Sequence, residues 1–136
     1  MVLKKAKPSL VHTILCDDVR QELGGKFSLM GLFETISAGA FPAVHPRFAI
    51  MNEWSGGQGE FTAKIRLLGP DRKTVLSESE ATFALFNENQ HHRDISLRFN
   101  TAFPSPGTYW IEMLLDNEQI AVLPLPVQQV SQQTIH

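Results

Sequence analysis

The spacing of apolar and polar residues along the chain predicts β-strands and no long helix. Apolar and polar residues alternate through residues 59–68, 91–100 and 108–115, and this two-residue period is typical of strands with one buried face. At most, residues 17–23 would form one helical turn. The pattern as a whole predicts eight strands, at residues 10–16, 26–37, 47–54, 59–68, 74–86, 91–100, 108–115 and 118–128.

Residues 91–100 illustrate what the alternation implies for burial. Ile95, Leu97 and Phe99 alternate with Ser96 and Arg98. Because successive side chains on a strand point to opposite faces, the expected arrangement has the apolar residues in the core and the polar residues in solvent.

Glycine- and proline-rich segments separate the predicted strands. Gly24-Gly25 suits a tight hairpin because glycine readily adopts positive φ. Many short strands joined by such turns favour an all-β fold, and we predict an antiparallel two-sheet sandwich of about seven or eight strands. Pro124 and Pro126 have no N–H to donate, so the last strand is expected at a sheet edge.

Length and composition indicate a single domain. The chain has 136 residues, 43% of them hydrophobic and 19% charged. We assign residues 10–128 to one sandwich domain, 1–9 to a basic N-terminal tail and 129–136 to a polar C-terminal tail. The formal charge of −2 and the lack of a long apolar run argue against nucleic-acid and membrane partners. One cysteine and no recognisable signal peptide predict a cytoplasmic location.

Two stretches carry a resemblance to known sandwich proteins. PGTYWIEMLLDNEQIAVLPLPV resembles the closing hairpin of many bacterial immunoglobulin-like sandwiches, and CDDVR followed by GGKFSLMGLF resembles an uncharacterised family of small bacterial β-sandwich proteins. The resemblance implies an immunoglobulin-like fold with no assigned activity. It also implies that Tyr109 packs at a corner, with its hydroxyl bonded to nearby backbone.

Candidate chemistry is sparse. The chain contains no phosphate-binding glycine loop, no HExxH or CxxC motif and no GxSxG motif. Cys16 is interpreted as a buried structural residue, since Asp17 and Asp18 beside it would raise its pKa and His12 would lie about 13 Å away on a strand. His91 and His92 would point to opposite faces. No catalytic residue and no cofactor are therefore predicted.

Acidic residues in the predicted turns form the one candidate metal site. If successive strands alternate in direction, residues 17–25, 54–59, 87–90 and 116–118 gather at one end of the sandwich, and the opposite end is basic. Carboxylates are the ligands that Ca²⁺ prefers. The metal-ligand candidates are Asp17, Asp18, Glu88 and Asp116.

Aromatic residues in turns and on outward faces are candidates for protein contacts. They are Phe41, Trp54, Phe86 and Trp110. The preferred function is a non-enzymatic module that binds a protein partner or self-associates. The alternative is a sandwich that binds a divalent cation or small ligand at its acidic end.

Overall fold

The computed structural model describes residues 6–131, which form two β-sheets. Nine strands lie within these residues: β1 (Ser9–Gln21), β2 (Phe27–Leu32), β3 (Ile36–Ala38), β4 (Ala43–Ser55), β5 (Gly59–Leu68), β6 (Val75–Leu85), β7 (His91–Phe103), β8 (Gly107–Leu115) and β9 (Glu118–Gln129). One sheet has the order β2-β1-β4-β7 and the other β3-β9-β8-β5-β6. The all-β prediction and the two-sheet prediction are confirmed.

The segment predicted as one strand at residues 26–37 is in fact two strands. β2 pairs with β1 in the first sheet, whereas β3 pairs with β9 in the second. The pairing of β3 with β9 is parallel, so the expectation of a purely antiparallel sandwich is wrong. Because β3 pairs with residues 127–129 of β9, the predicted sheet edge is limited to residues 118–126 of that strand.

The chain around Asp17 and Asp18 is strand and not a bend. β1 continues to Gln21, so the predicted helical turn at residues 17–23 is wrong. The hairpin at Gly24-Gly25 is confirmed: Gly25 has φ of 86° and its N–H donates to the Glu22 carbonyl at 2.8 Å. At the start of the chain, Ala6 forms a bridge with Gln58 and Pro8 is buried. Of the two predicted tails, residues 1–5 and 132–136 lie outside the described residues.

The first sheet is strongly curled, and β4 is its centre. Residues 48–54 of β4 are all buried, on both faces of the strand. Phe48 packs into the core between the sheets. Met51 lies on the opposite face, where it lines a cavity together with Phe27 and Leu29 of β2. The curl of the sheet therefore brings side chains of β2 close to the outer face of β4 beside Met51.

The space between the sheets holds two apolar clusters. The larger contains Phe48, Ile65 and Tyr109, and the smaller is built around Trp54 and Phe83. The Tyr109 hydroxyl donates to the Ser105 carbonyl oxygen at 2.7 Å. The expectation that this tyrosine bonds to nearby backbone is confirmed.

Candidate functional site

The four carboxylates predicted as metal ligands do not converge. β1 begins opposite the end of β4, where Ser9 pairs with Ser55, and Ser55 pairs with His91 at the start of β7. Glu88 lies just before that point, whereas Asp18 is about 30 Å further along β1. Among residues 6–131, no group of three or more His, Cys, Asp and Glu could hold a metal ion. The predicted meeting of these residues at one end is wrong, because the additional strand β3 reverses which end the β1–β2 turn occupies.

The acidic candidates have other partners in the structure. Asp18 forms an ion pair with Arg47 near the start of β4, so acidic and basic residues lie side by side at this end. Asp116 lies in the β8–β9 turn, and its carboxylate accepts from the Thr62 N–H at 2.9 Å. Asp17 lies against Gly31, where a Cβ atom would be 2.3 Å from the Asp17 carboxylate. The predicted separation of acidic and basic ends is therefore not observed.

Cys16 is part of the packed sheet. Its side chain is 0% exposed, so the interpretation as a buried structural cysteine is confirmed. Burial raises the pKa of the Cys16 thiol, and the neighbouring charge of Asp17 raises it further. A thiol with a raised pKa carries little thiolate and is a weak nucleophile.

The two adjacent histidines point to opposite faces, as predicted. His91 contacts the Glu53 carboxylate at 2.8 Å, and Arg93 donates to the same carboxylate at 3.0 Å. The hydrogen bond with His91, followed by the charge of Arg93, lowers the pKa of Glu53. His92 stacks on the Phe83 ring with 4.4 Å between centroids, and burial lowers its pKa. Each histidine has a structural role in holding neighbouring strands.

The four aromatic contact candidates occupy different environments. Trp54 is 0% exposed and belongs to the core, so its proposed surface role is wrong. Phe41 is half-buried and packs against the larger apolar cluster. Trp110 is half-buried on the outer face of β8, where the Arg72 guanidinium lies 4.1 Å above its ring. Phe86 is 68% exposed and is the one candidate of the four available for contact.

The edge strands of the two sheets, β6 and β7, lie next to each other and are joined by side chains, with Ser79 Oγ 3.1 Å from Ser96 Oγ. We call this region the seam (β6 residues 75–81 and β7 residues 94–102). β6 pairs only with β5, and β7 pairs only with β4. Each strand therefore has one side whose backbone groups have no strand partner in residues 6–131. Two adjoining grooves of about 240 and 440 Å³ run along the seam and share Leu97. Unpaired strand edges of this kind accept a further strand readily.

The faces of β7 are the reverse of those expected from its sequence. Arg98 is only 7% exposed and points between the sheets. Leu97 and Phe99, on the opposite face, are 45% and 58% exposed. Val75 and Leu76 add exposed apolar surface from β6. Sequence analysis missed this surface because the alternation identifies two faces without showing which one meets the second sheet.

Arg98 holds the seam together. Its guanidinium donates to the hydroxyls of Ser77 at 2.7 Å and Ser79 at 2.9 Å, both on β6, and to the Ile65 carbonyl at 3.3 Å. Its Nε donates to Ser96 at 3.1 Å. All four acceptors are neutral, and burial lowers the pKa of Arg98. The guanidinium is thus buried among dipoles with no carboxylate within 4.0 Å in the described chain.

The opposite side of the sandwich also has a groove, of about 460 Å³. Its lining is mostly apolar, and β9 contributes Leu123, Pro124 and Pro126. The two prolines have no N–H, so an added strand cannot be bonded regularly by β9. The seam between β6 and β7 is therefore the better candidate for binding another chain.

Comparison with known proteins identifies the family but not an activity. A family model described as a family of unknown function, DUF6941, matches residues 12–128. The chain belongs to DUF6941. No curated protein matches the chain. The prediction of membership in an uncharacterised family is confirmed.

The matched region of this DUF6941 protein includes every strand that borders the seam. β4 to β8 lie wholly within residues 12–128. Among the described residues there is no helix long and apolar enough to cross a membrane.

Proposed function

We propose that this DUF6941 protein is a non-enzymatic interaction module that binds an extended protein segment along β7. The observation that carries the proposal is the exposure of Leu97 and Phe99 on a strand whose outer edge has no partner among residues 6–131. An added strand would bond to the free backbone groups of β7 and cover both side chains. Strand addition obtains affinity from the backbone and specificity from alternate side chains.

The environments of Cys16 and His91 support a binding role rather than nucleophilic catalysis. Cys16 is buried with a raised pKa, and His91 is paired with Glu53. The alternative function, cation binding at an acidic end, requires the predicted carboxylates to lie close together. Asp18 and Glu88 instead lie at opposite ends of the first sheet. The immunoglobulin-like connectivity, the bacterial source and the cytoplasmic location stay predictions.

A displayed library of short linear peptides tests the proposal. Binders selected on the wild-type protein are measured against the double variant Leu97→Ser/Phe99→Ser. The matched control is Leu32→Ser/Phe86→Ser, because it removes one exposed leucine and one exposed phenylalanine away from the seam.

We expect binding to weaken at least about tenfold in the seam variant, since buried apolar anchors contribute most of the binding energy, and to be unchanged in the control. Binders that respond equally to both variants, or a library that yields no binder, would contradict the proposed function.

A further inference from the structure

The inward face of β7 carries two opposite charges whose spacing matters for pairing. Asp94 and Arg98 lie two positions on either side of Ser96 and, by strand alternation, on the same face as Ser96. Within one β7 strand they are about 13 Å apart at the backbone. Neither forms an ion pair within 4.0 Å in the part of the chain that the structure describes. Arg98 is buried and hydrogen-bonded only to neutral acceptors, and Asp94 is half-buried. Burial of a charge without a counter-ion is unfavourable, so each would gain from an opposite charge nearby.

A second copy of β7, running antiparallel with Ser96 opposite Ser96, would complement both charges. Arg98 would lie opposite the partner's Asp94, and Asp94 opposite the partner's Arg98. Directly opposed residues on neighbouring strands have Cβ atoms about 5 Å apart, which is within reach of an ion pair. The pair forms twice because a two-fold interface repeats every contact.

The outward face is complementary in the same register. Leu97 would lie opposite the partner's Ile95, so the exposed apolar side chains would cover each other. Phe99 would lie opposite the partner's Arg93. The Phe99 ring already has the Arg47 guanidinium 5.8 Å from its centroid, and an arginine on its other side would extend this cation–π contact.

We propose that β7 pairs with β7 of a second copy of this chain, antiparallel about Ser96, and joins the two four-stranded sheets into one. This inference rests on the proposed function, for which it names the partner and the register. The occupant is a second copy because one strand supplies both members of each complementary pair: acid and base on one face, aromatic ring and guanidinium on the other.

Cysteine cross-linking tests the register directly. Ser96→Cys places two cysteines opposite each other at the two-fold axis, and oxidation should join them efficiently. Leu97→Cys alone should not cross-link, because the two introduced cysteines are offset by two positions along the strands. Their Cα atoms are then further apart than the roughly 7 Å that a disulfide tolerates. Mixing Leu97→Cys with Ile95→Cys should restore a cross-link. The wild-type protein is the control for cross-linking through the native Cys16, which is buried.

The charge pairing is tested by the dimerisation constant, measured by analytical ultracentrifugation. Asp94→Asn keeps the shape of the side chain and removes its charge, so the dimer should weaken at least about tenfold. Glu80→Gln is the control, because Glu80 borders the same groove and pairs with Lys64 of its own sheet. It should leave the constant unchanged.

The possible outcomes separate the two proposals. A wild-type chain that stays monomeric at its highest soluble concentration overturns self-pairing, and so does efficient cross-linking through Leu97→Cys alone. In that case the peptide selection alone tests the proposed function, since a segment of another protein can bind along β7 of a monomer. Cross-linking through Ser96→Cys together with weakening by Asp94→Asn supports the proposed register.

Discussion

Arg98 and Ser77 connect the two sheets: the guanidinium on β7 donates to the hydroxyl on β6 at 2.7 Å. This bond lies at the open side of the sandwich, where no backbone ladder joins β6 to β7. The sheets are thus linked there by side chains, and the strand edges beside the link are left without strand partners.

Replacing Arg98 should destabilise the fold. Arg98→Ala removes four hydrogen bonds and the packing of a buried side chain, so we expect the free energy of unfolding to fall by about 2–4 kcal/mol. Urea denaturation measures the change. Arg20→Ala is the control, because the Arg20 side chain is largely exposed and its loss should change stability by no more than about 0.5 kcal/mol. Equal effects of the two variants would contradict the role assigned to Arg98.

Truncation of Trp54 should lower the stability of the fold much more than truncation of Phe86. Trp54 is enclosed by Phe61 and Phe83 in the smaller cluster, so Trp54→Ala should lower the free energy of unfolding by about 3–5 kcal/mol. Phe86→Ala should have little effect on stability, since the side chain is mostly in solvent. Thermal and urea unfolding provide the comparison. A near-neutral Trp54→Ala would show that the tryptophan is a surface residue after all.

Asp71 should titrate well below other aspartates. The Thr74 hydroxyl donates to its carboxylate at 2.6 Å, and the N–H groups of Thr74 and Lys73 each donate at 2.9 Å. These bonds, that of the Thr74 hydroxyl first, lower the pKa of Asp71 from 3.8 to about 2. A carboxylate whose pKa is lowered by folding stabilises the protein above pH 3.8, and this contribution disappears as the pH falls through about 2.

An NMR titration of the Asp71 carboxyl carbon measures this pKa directly. The midpoint should lie near 2 in the wild type and move towards 3.8 in Thr74→Val, which lacks the hydroxyl donor. In unfolding experiments the stability difference between wild type and Asp71→Asn should shrink between those two pH values. A wild-type midpoint near 3.8 would refute the hydrogen-bonding explanation.

The Cys16 thiol should be unreactive in the folded protein. It is fully buried, and its raised pKa leaves little thiolate at neutral pH. Labelling with a thiol-specific disulfide reagent should be slow in buffer and complete in denaturant. Stoichiometric labelling of the native protein within seconds would restore Cys16 as a candidate nucleophile.

The sequence alone determined features that depend on near neighbours in the chain. The two-residue period and the glycine and proline turns identified most of the strands, because both follow from local backbone geometry. The burial of Cys16 was predicted from its neighbours in the sequence. The hydrogen bond of Tyr109 to nearby backbone was predicted from the resemblance to immunoglobulin-like sandwiches. Membership in an uncharacterised family was also recognisable from short stretches.

Tertiary structure alone decided how those strands are arranged. The division of residues 26–37 between two sheets reversed the end at which Asp18 lies and removed the predicted acidic cluster. The alternation on β7 was correct, but its apolar face points outward, because Arg98 finds acceptors on β5 and β6 that are 19 or more residues away in sequence. A periodic pattern defines two faces of a strand, and only contacts between distant segments choose which of them is buried.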